Sequence, residues 1–95
     1  MKYNQTELDR ARKTLEGMEK VIPSDSGIKK MRDPMLLDTT INSLISYNYS
    51  KVQFLFGHSA LLAMLEYFVS IEAYERCKDI MDYIKENTPD LPTTL

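Results

Sequence analysis

Between Ser24 and Arg32 the chain gathers groups suited to holding an anion. Ser24, Ser26 and Gly27 offer hydroxyls and adaptable backbone donors, and Lys29, Lys30 and Arg32 place three cations in four positions. Asp33-Pro34, directly after, reads as a helix start, with Asp at the N-cap and Pro at the first helical position. The positive end of that helix would add to the attraction for an anion. Ser26, Gly27, Lys29, Lys30 and Arg32 are therefore the candidate ligand-binding residues, for an anionic small molecule such as a nucleotide. The plainer reading of a Lys-Lys-x-Arg run, a solvated charged loop, stands beside it.

Catalytic chemistry finds less to work with. His58 is the only histidine, and its sequence neighbours Gly57 and Ser59 supply no carboxylate to orient it as a general base. It shares a helical edge with Phe54, Leu61, Leu62 and Leu65, the setting of a partly buried structural histidine. Cys77 is the only cysteine, which rules out an intramolecular disulfide and thiolate metal clusters. It belongs to an apolar stripe with Ala73, Ile80 and Ile84 and reads as a small core residue. Asp79 and Asp82 lie on a wet helix face, no second His or Cys sits at ligand spacing, and no glycine-rich phosphate loop is present. The expectation is a protein that is not an enzyme, with no catalytic residue, no metal and no cofactor.

Recognition of another protein is better provided for. The chain has six tyrosines and three phenylalanines, and tyrosine brings a large apolar body with one hydrogen-bonding tip to an interface. Leu8, Leu15, Met18, Ile22, Tyr47, Tyr49, Phe54 and Tyr67 are the candidate interface residues, while tyrosines that merely rim a small helical core are the alternative. Asn48 and Ser59, set among apolar positions, are candidates for fixing register between helices.

The elements that carry these residues are all helical. The first helix, over 1–22, is expected to start at Thr6, where Thr and Asp9 imitate a capping box. Leu8, Ala11, Leu15, Met18 and Ile22 form a narrow seam of heptad type. It suits a helix laid along a neighbour by one edge, or a dimerising helix. Pro23 ends it and a loop is expected over 23–33. A central helical segment over 34–70 follows, with only Asp38, Lys51 and Glu66 charged between Pro34 and Ser70. Either one long helix or two helices broken near Tyr49-Ser50 fits it, and Gly57 weakens its own neighbourhood. Ser70 reads as the cap of a last helix over 71–87, followed by a frayed tail over 88–95. The fold class is all-α, a small three- or four-helix bundle with a long, nearly uncharged central helix, kinked near 49–57 if it is one helix.

Composition sets the outer bounds. Ninety-five residues make a single domain, 1–95, and 12 Lys and Arg against 14 Asp and Glu leave a net charge of −2. That is too weakly basic for a nucleic-acid binder working by phosphate neutralisation. The start MKYNQTELDR has no signal-peptide core, which favours a cytoplasmic location. The densest apolar run, Phe54 to Leu65, falls short of the roughly 20 apolar residues that span a bilayer. Within Thr39 to Leu65 the only charged residue is Lys51. One seam and one stripe are few covers for so apolar a stretch, so a homodimer or higher oligomer is expected to close the gap.

Residues 65–86 resemble the UVR motif, a short helical hairpin of nucleotide-excision-repair and protease-regulating proteins. The likeness lies in Tyr74-Glu75, Cys77, Ile80 and Asp82-x-Ile84-Lys85-Glu86. It departs at Met81, where the motif carries arginine, and around Leu65 to Ile71, which is more hydrophobic and slightly longer than the pattern. The resemblance implies a protein-docking hairpin and does not imply DNA repair. The sequence thus points first to a small helical module that self-associates and binds a partner protein. A small regulator, adaptor or inhibitor of the sort carried by phages and mobile elements would suit it. The second reading is an oligomer that sequesters an anionic ligand through Lys29, Lys30 and Arg32 with a tyrosine stacked on it.

Overall fold

The computed structural model describes residues 3–87. Among them are six α-helices and no strand: α1 (Gln5–Val21), α2 (Ser26–Met31), α3 (Leu37–Ile45), α4 (Tyr49–Phe56), α5 (His58–Ser70) and α6 (Tyr74–Glu86). The chain is all-helical as expected, with more and shorter helices than a three- or four-helix bundle. The tail expected over 88–95 lies outside the described residues.

Helix α1 is capped by Asn4, two residues before the expected cap at Thr6. The Asn4 side chain accepts from Glu7 N at 2.8 Å, and Glu7 Oε1 accepts from Asn4 N at 3.3 Å, which closes a capping box. Glutamate reaches back one turn; Asp9 is shorter and accepts from Gln5 Nε2. The helix stops at Val21, just ahead of Pro23.

The span 23–33, expected to be a loop, contains α2. Asp25 caps it, Oδ1 accepting from Gly27 N at 2.7 Å and Ile28 N at 3.2 Å. Ile28 and Met31 point into the core. Six residues carry too little periodicity to announce a helix; burial of Ile28 and Met31 stabilises it. Asp33-Pro34 starts a turn, not a helix. Asp33 Oδ1 accepts from Met35 N at 2.9 Å and its carbonyl from Leu36 N at 2.9 Å, so α3 begins only at Leu37.

The central segment is three helices, not one or two. At the end of α3, Asn48 N donates to Ser43 O at 2.9 Å, the six-to-one bond of a Schellman motif, with Tyr47 in the left-handed conformation at φ 54°. Asn48 then caps α4 by accepting from Lys51 N at 3.1 Å. Gly57, at φ 100°, ends α4 and lets α5 start at once. Ser70 is the last residue of α5, not the cap of α6: its Oγ donates to Tyr67 O at 2.6 Å, and α6 opens after Ala73.

These breaks fold the apolar stretch back on itself. Helix α5 lies at the centre, against α1, α4 and α6, and α2 leans on α1, α4 and α5. Ala60, Leu61, Ala63 and Met64 are fully buried within the single chain, together with Val52, Met18 and Ile80. The extra helix and the folded-back segments cover much of this stretch within one chain, while Phe54 and Leu62 stay 87% and 38% exposed. Among the described residues no helix is long and apolar enough to cross a membrane.

Candidate functional site

The two C-terminal Schellman turns of the fold are where its backbone departs from ease. Glu72, between α5 and α6, has φ 61°; its N–H donates to Val69 O at 3.0 Å, and Ala73 N donates to Phe68 O at 2.9 Å. Glycine is the usual residue at this position, because a Cβ crowds the carbonyl in the left-handed region. Here Tyr47 and Glu72 occupy it. Both turns border the same cleft.

The cleft has a volume of about 490 Å³. One side is the face of α1 that carries Arg10, Lys13 and Thr14; the other is the start of α6, at Ala73 and Arg76. Tyr67, Phe68 and Ile71, at the end of α5, make the apolar floor, and Tyr47 stands at the corner. The Tyr47 ring takes the guanidinium of Arg10 at 4.5 Å and that of Arg76 at 4.4 Å from its centroid. One aromatic ring thus joins α1 to α6, two helices that each pack on α5. Cation–π contact of this kind is worth about 0.5–2 kcal/mol per pair, depending on solvent access.

Each arginine is held from behind. Arg10 Nη2 donates to Ile45 O at 3.1 Å, and Arg76 Nη1 meets Asp79 Oδ2 at 3.4 Å. Phe68 lies 5.5 Å from Tyr67 and 6.4 Å from Tyr47, ring centre to ring centre. Partial burial raises the Tyr67 phenol above its ordinary value. Tyr67 lies against α1 because Gly17 leaves room: a Cβ there would collide with its ring. Along the lining, Arg10, Lys13 and Arg76 face one carboxylate, Asp9.

The residues named from sequence fall in different places. Tyr47 and Tyr67 are brought together in the cleft. Met18 is buried, while Leu8, Leu15 and Ile22 are half-buried against the core, so the heptad seam is covered within its own chain. Tyr49 packs on Tyr83, ring centres 6.4 Å apart. Phe54 is 87% exposed. Of the anion-binding set, Ser26, Lys29 and Lys30 point to solvent, and Arg32 Nε pairs with Glu19 Oε2 at 2.7 Å. Gly27 is buried where a Cβ would collide with the Phe56 carbonyl oxygen. The backbone donors an anion would use are already taken by Asp25, whose carboxyl is lowered below its ordinary value by the Ser59 hydroxyl beside it and by those two N–H groups, against a desolvation cost.

Two polar residues also differ from expectation. Asn48 is exposed and caps a helix instead of setting register. His58 is exposed at the start of α5, its Nδ1 3.2 Å from Gln53 Nε2, and Gln53 Oε1 accepts from Tyr83 Oη at 2.8 Å. Cys77 is buried in the core. Among the described residues no group of three or more His, Cys, Asp or Glu could hold a metal. Arg10, Lys13 and Arg76 were invisible as a set, because they read as ordinary charges on separate helices. The one local signal was Tyr47-Asn48, a turn-prone pair inside an apolar run.

Comparison with protein-family models, with curated proteins and with solved structures finds no match.

Proposed function

We propose that this protein is a non-enzymatic binding module and that its ligand, an anion with an apolar body, sits in the Tyr47 cleft. The observation that carries this reading is Tyr47 itself. A large residue holds the backbone that glycine would hold at lower cost, and its ring is gripped by two arginines. Glu72 shares that backbone with an exposed side chain, so it is the hold of Arg10 and Arg76 on the Tyr47 ring that marks this side chain as the one needed. A cleft of about 490 Å³ lies within the range of small-ligand sites, and its chemistry fits one: an apolar floor with a few polar groups on the two walls. With no nucleophile and base paired in the cleft, binding and not turnover is the activity to expect.

The experiment is a thermal-shift screen of the full chain with small carboxylates and phosphates, run on the parent and on Lys13→Glu. Lys13 is exposed on α1, so reversing its charge leaves the fold intact. An anion that raises Tm for the parent and not for the variant supports the reading. No stabilisation by any anion at millimolar concentration would refute it.

A second reading, docking of a partner protein and self-association, is favoured by a different surface. Phe54 is 87% exposed, and on the α5–α6 hairpin Tyr74 and Met81 are 65% and 54% exposed. Exposed aromatic and methionine side chains suit a docking face, and residues 65–86 of that hairpin are the ones that resemble the UVR motif. Light scattering decides self-association. A mass of 11.0 kDa at micromolar concentration is the monomer and would sink it.

A further inference from the structure

We infer that the ligand of the Tyr47 cleft is an aromatic phosphate of mononucleotide size, a step that rests on the binding role proposed above. The charge argument comes first. Three cations, Arg10, Lys13 and Arg76, line the cleft with Asp9, which already accepts from Gln5 Nε2 at 3.0 Å, and Asp79 stands behind Arg76 at 3.4 Å. Once both carboxylates are counted a net positive charge of one remains to draw an anion, and a phosphate monoester has three oxygens to share among Lys13 and the two arginines. Arginine's planar fork suits phosphate oxygens, and Lys13 adds a mobile point charge.

The remainder of the cleft selects what the phosphate is attached to. Both guanidinium groups are already stacked on Tyr47 within 4.5 Å of its centroid, so each presents its edge or its far face to the cleft. Beside them lie the Tyr67 ring and Ile71, which is half-exposed. A flat ring laid on Tyr67 and Ile71 would cover apolar surface that a bare phosphate leaves wet, and stacking on aromatic or guanidinium planes is tolerant of which ring it is. Tyr67 has a fixed position to offer because Gly17 lets it lie against α1.

The test is isothermal titration calorimetry of the full chain with adenosine 5′-monophosphate, inorganic phosphate and adenosine as probes. The monophosphate should bind about tenfold or more tightly than inorganic phosphate, the gain expected of one stacked ring. Adenosine should bind more weakly than the monophosphate. Lys13→Glu should lower affinity for the monophosphate about tenfold with Tm unchanged. Gly17→Ala, which displaces the Tyr67 ring, should bring the affinity for the monophosphate down towards that of phosphate, with phosphate binding unchanged. Equal affinity for the monophosphate and for inorganic phosphate would overturn the ring requirement and leave an anion site standing. Binding of the monophosphate that ignores Lys13→Glu would overturn the site. No binding of any probe, where a small carboxylate does stabilise the chain, would overturn the phosphate assignment alone. Silence from every anion would remove the binding role with it.

Discussion

A Cβ at Gly27 would collide with the carbonyl oxygen of Phe56, and backbone cannot step aside as a side chain can. Gly27→Ala should therefore cost about 1–3 kcal/mol in urea unfolding, the usual penalty of overpacking, despite alanine's better helix propensity. Tyr49 supplies the matching prediction in pH. Burial raises its phenol above the ordinary value of 10.0, with nearby Arg76 opposing and Asp79 adding to the shift. Below pH 10.0 the phenol is protonated in folded and unfolded chains alike, and its contribution is fully present. As pH rises further the unfolded chain loses the proton first, so stability falls until the folded phenol ionises too. Tyr49→Phe should flatten the decline of the urea midpoint above about pH 10 relative to the parent. An unchanged slope would mean that the phenol is not the group responsible.

At the scale of elements, the two left-handed turns can be told apart. Glu72 is exposed and occupies the glycine position of the turn between α5 and α6. Glu72→Gly should stabilise the protein by about 0.5–1 kcal/mol, because relief of the left-handed backbone outweighs glycine's extra entropy in the unfolded chain. Tyr47→Gly relieves the same backbone but removes the ring from between Arg10 and Arg76, so it should destabilise instead. Opposite signs in thermal unfolding would separate a turn that merely tolerates its residue from one that needs it. The same reasoning explains why local signals misplaced helix starts. Asn4, Asp25 and Asn48 cap α1, α2 and α4, whereas Thr6, Asp33 and Ser70 looked equally able. Capping residue types are common, and which one is used depends on where the following residues can be buried.

For the whole molecule, the central question is whether one chain is enough. Its core closes internally around Leu61, Met64 and Phe68, so any self-association must use side chains that the core does not need. Phe54→Ser tests that directly. The ring is 87% exposed, so its loss should change stability by no more than about 0.5 kcal/mol. If a dimer forms, the same change should shift the mass measured by light scattering towards the monomer. A dimer indifferent to Phe54→Ser would place the contact elsewhere.

The helical class of this protein followed from spacing alone: apolar residues recur at three and four, and no segment alternates as a strand does. The burial of Cys77 and Ile80 and the stop before Pro23 were legible from residues a turn or two apart, whereas the break was expected near Tyr49-Ser50 and Gly57 was read only as a weak point. Helix α2 was not, because six residues show no period and it is Ile28 and Met31 meeting the core that stabilise it. The triple folding of the 34–70 segment was not either, because Tyr47 takes a conformation its type disfavours. The cleft was beyond local reading altogether. Arg10, Tyr47 and Arg76 come from three distant parts of the chain, and their meeting is decided by how α1 and α6 pack on α5. Periodicity tells a helix which face to bury; only the packed molecule decides which exposed charges come to share a ring.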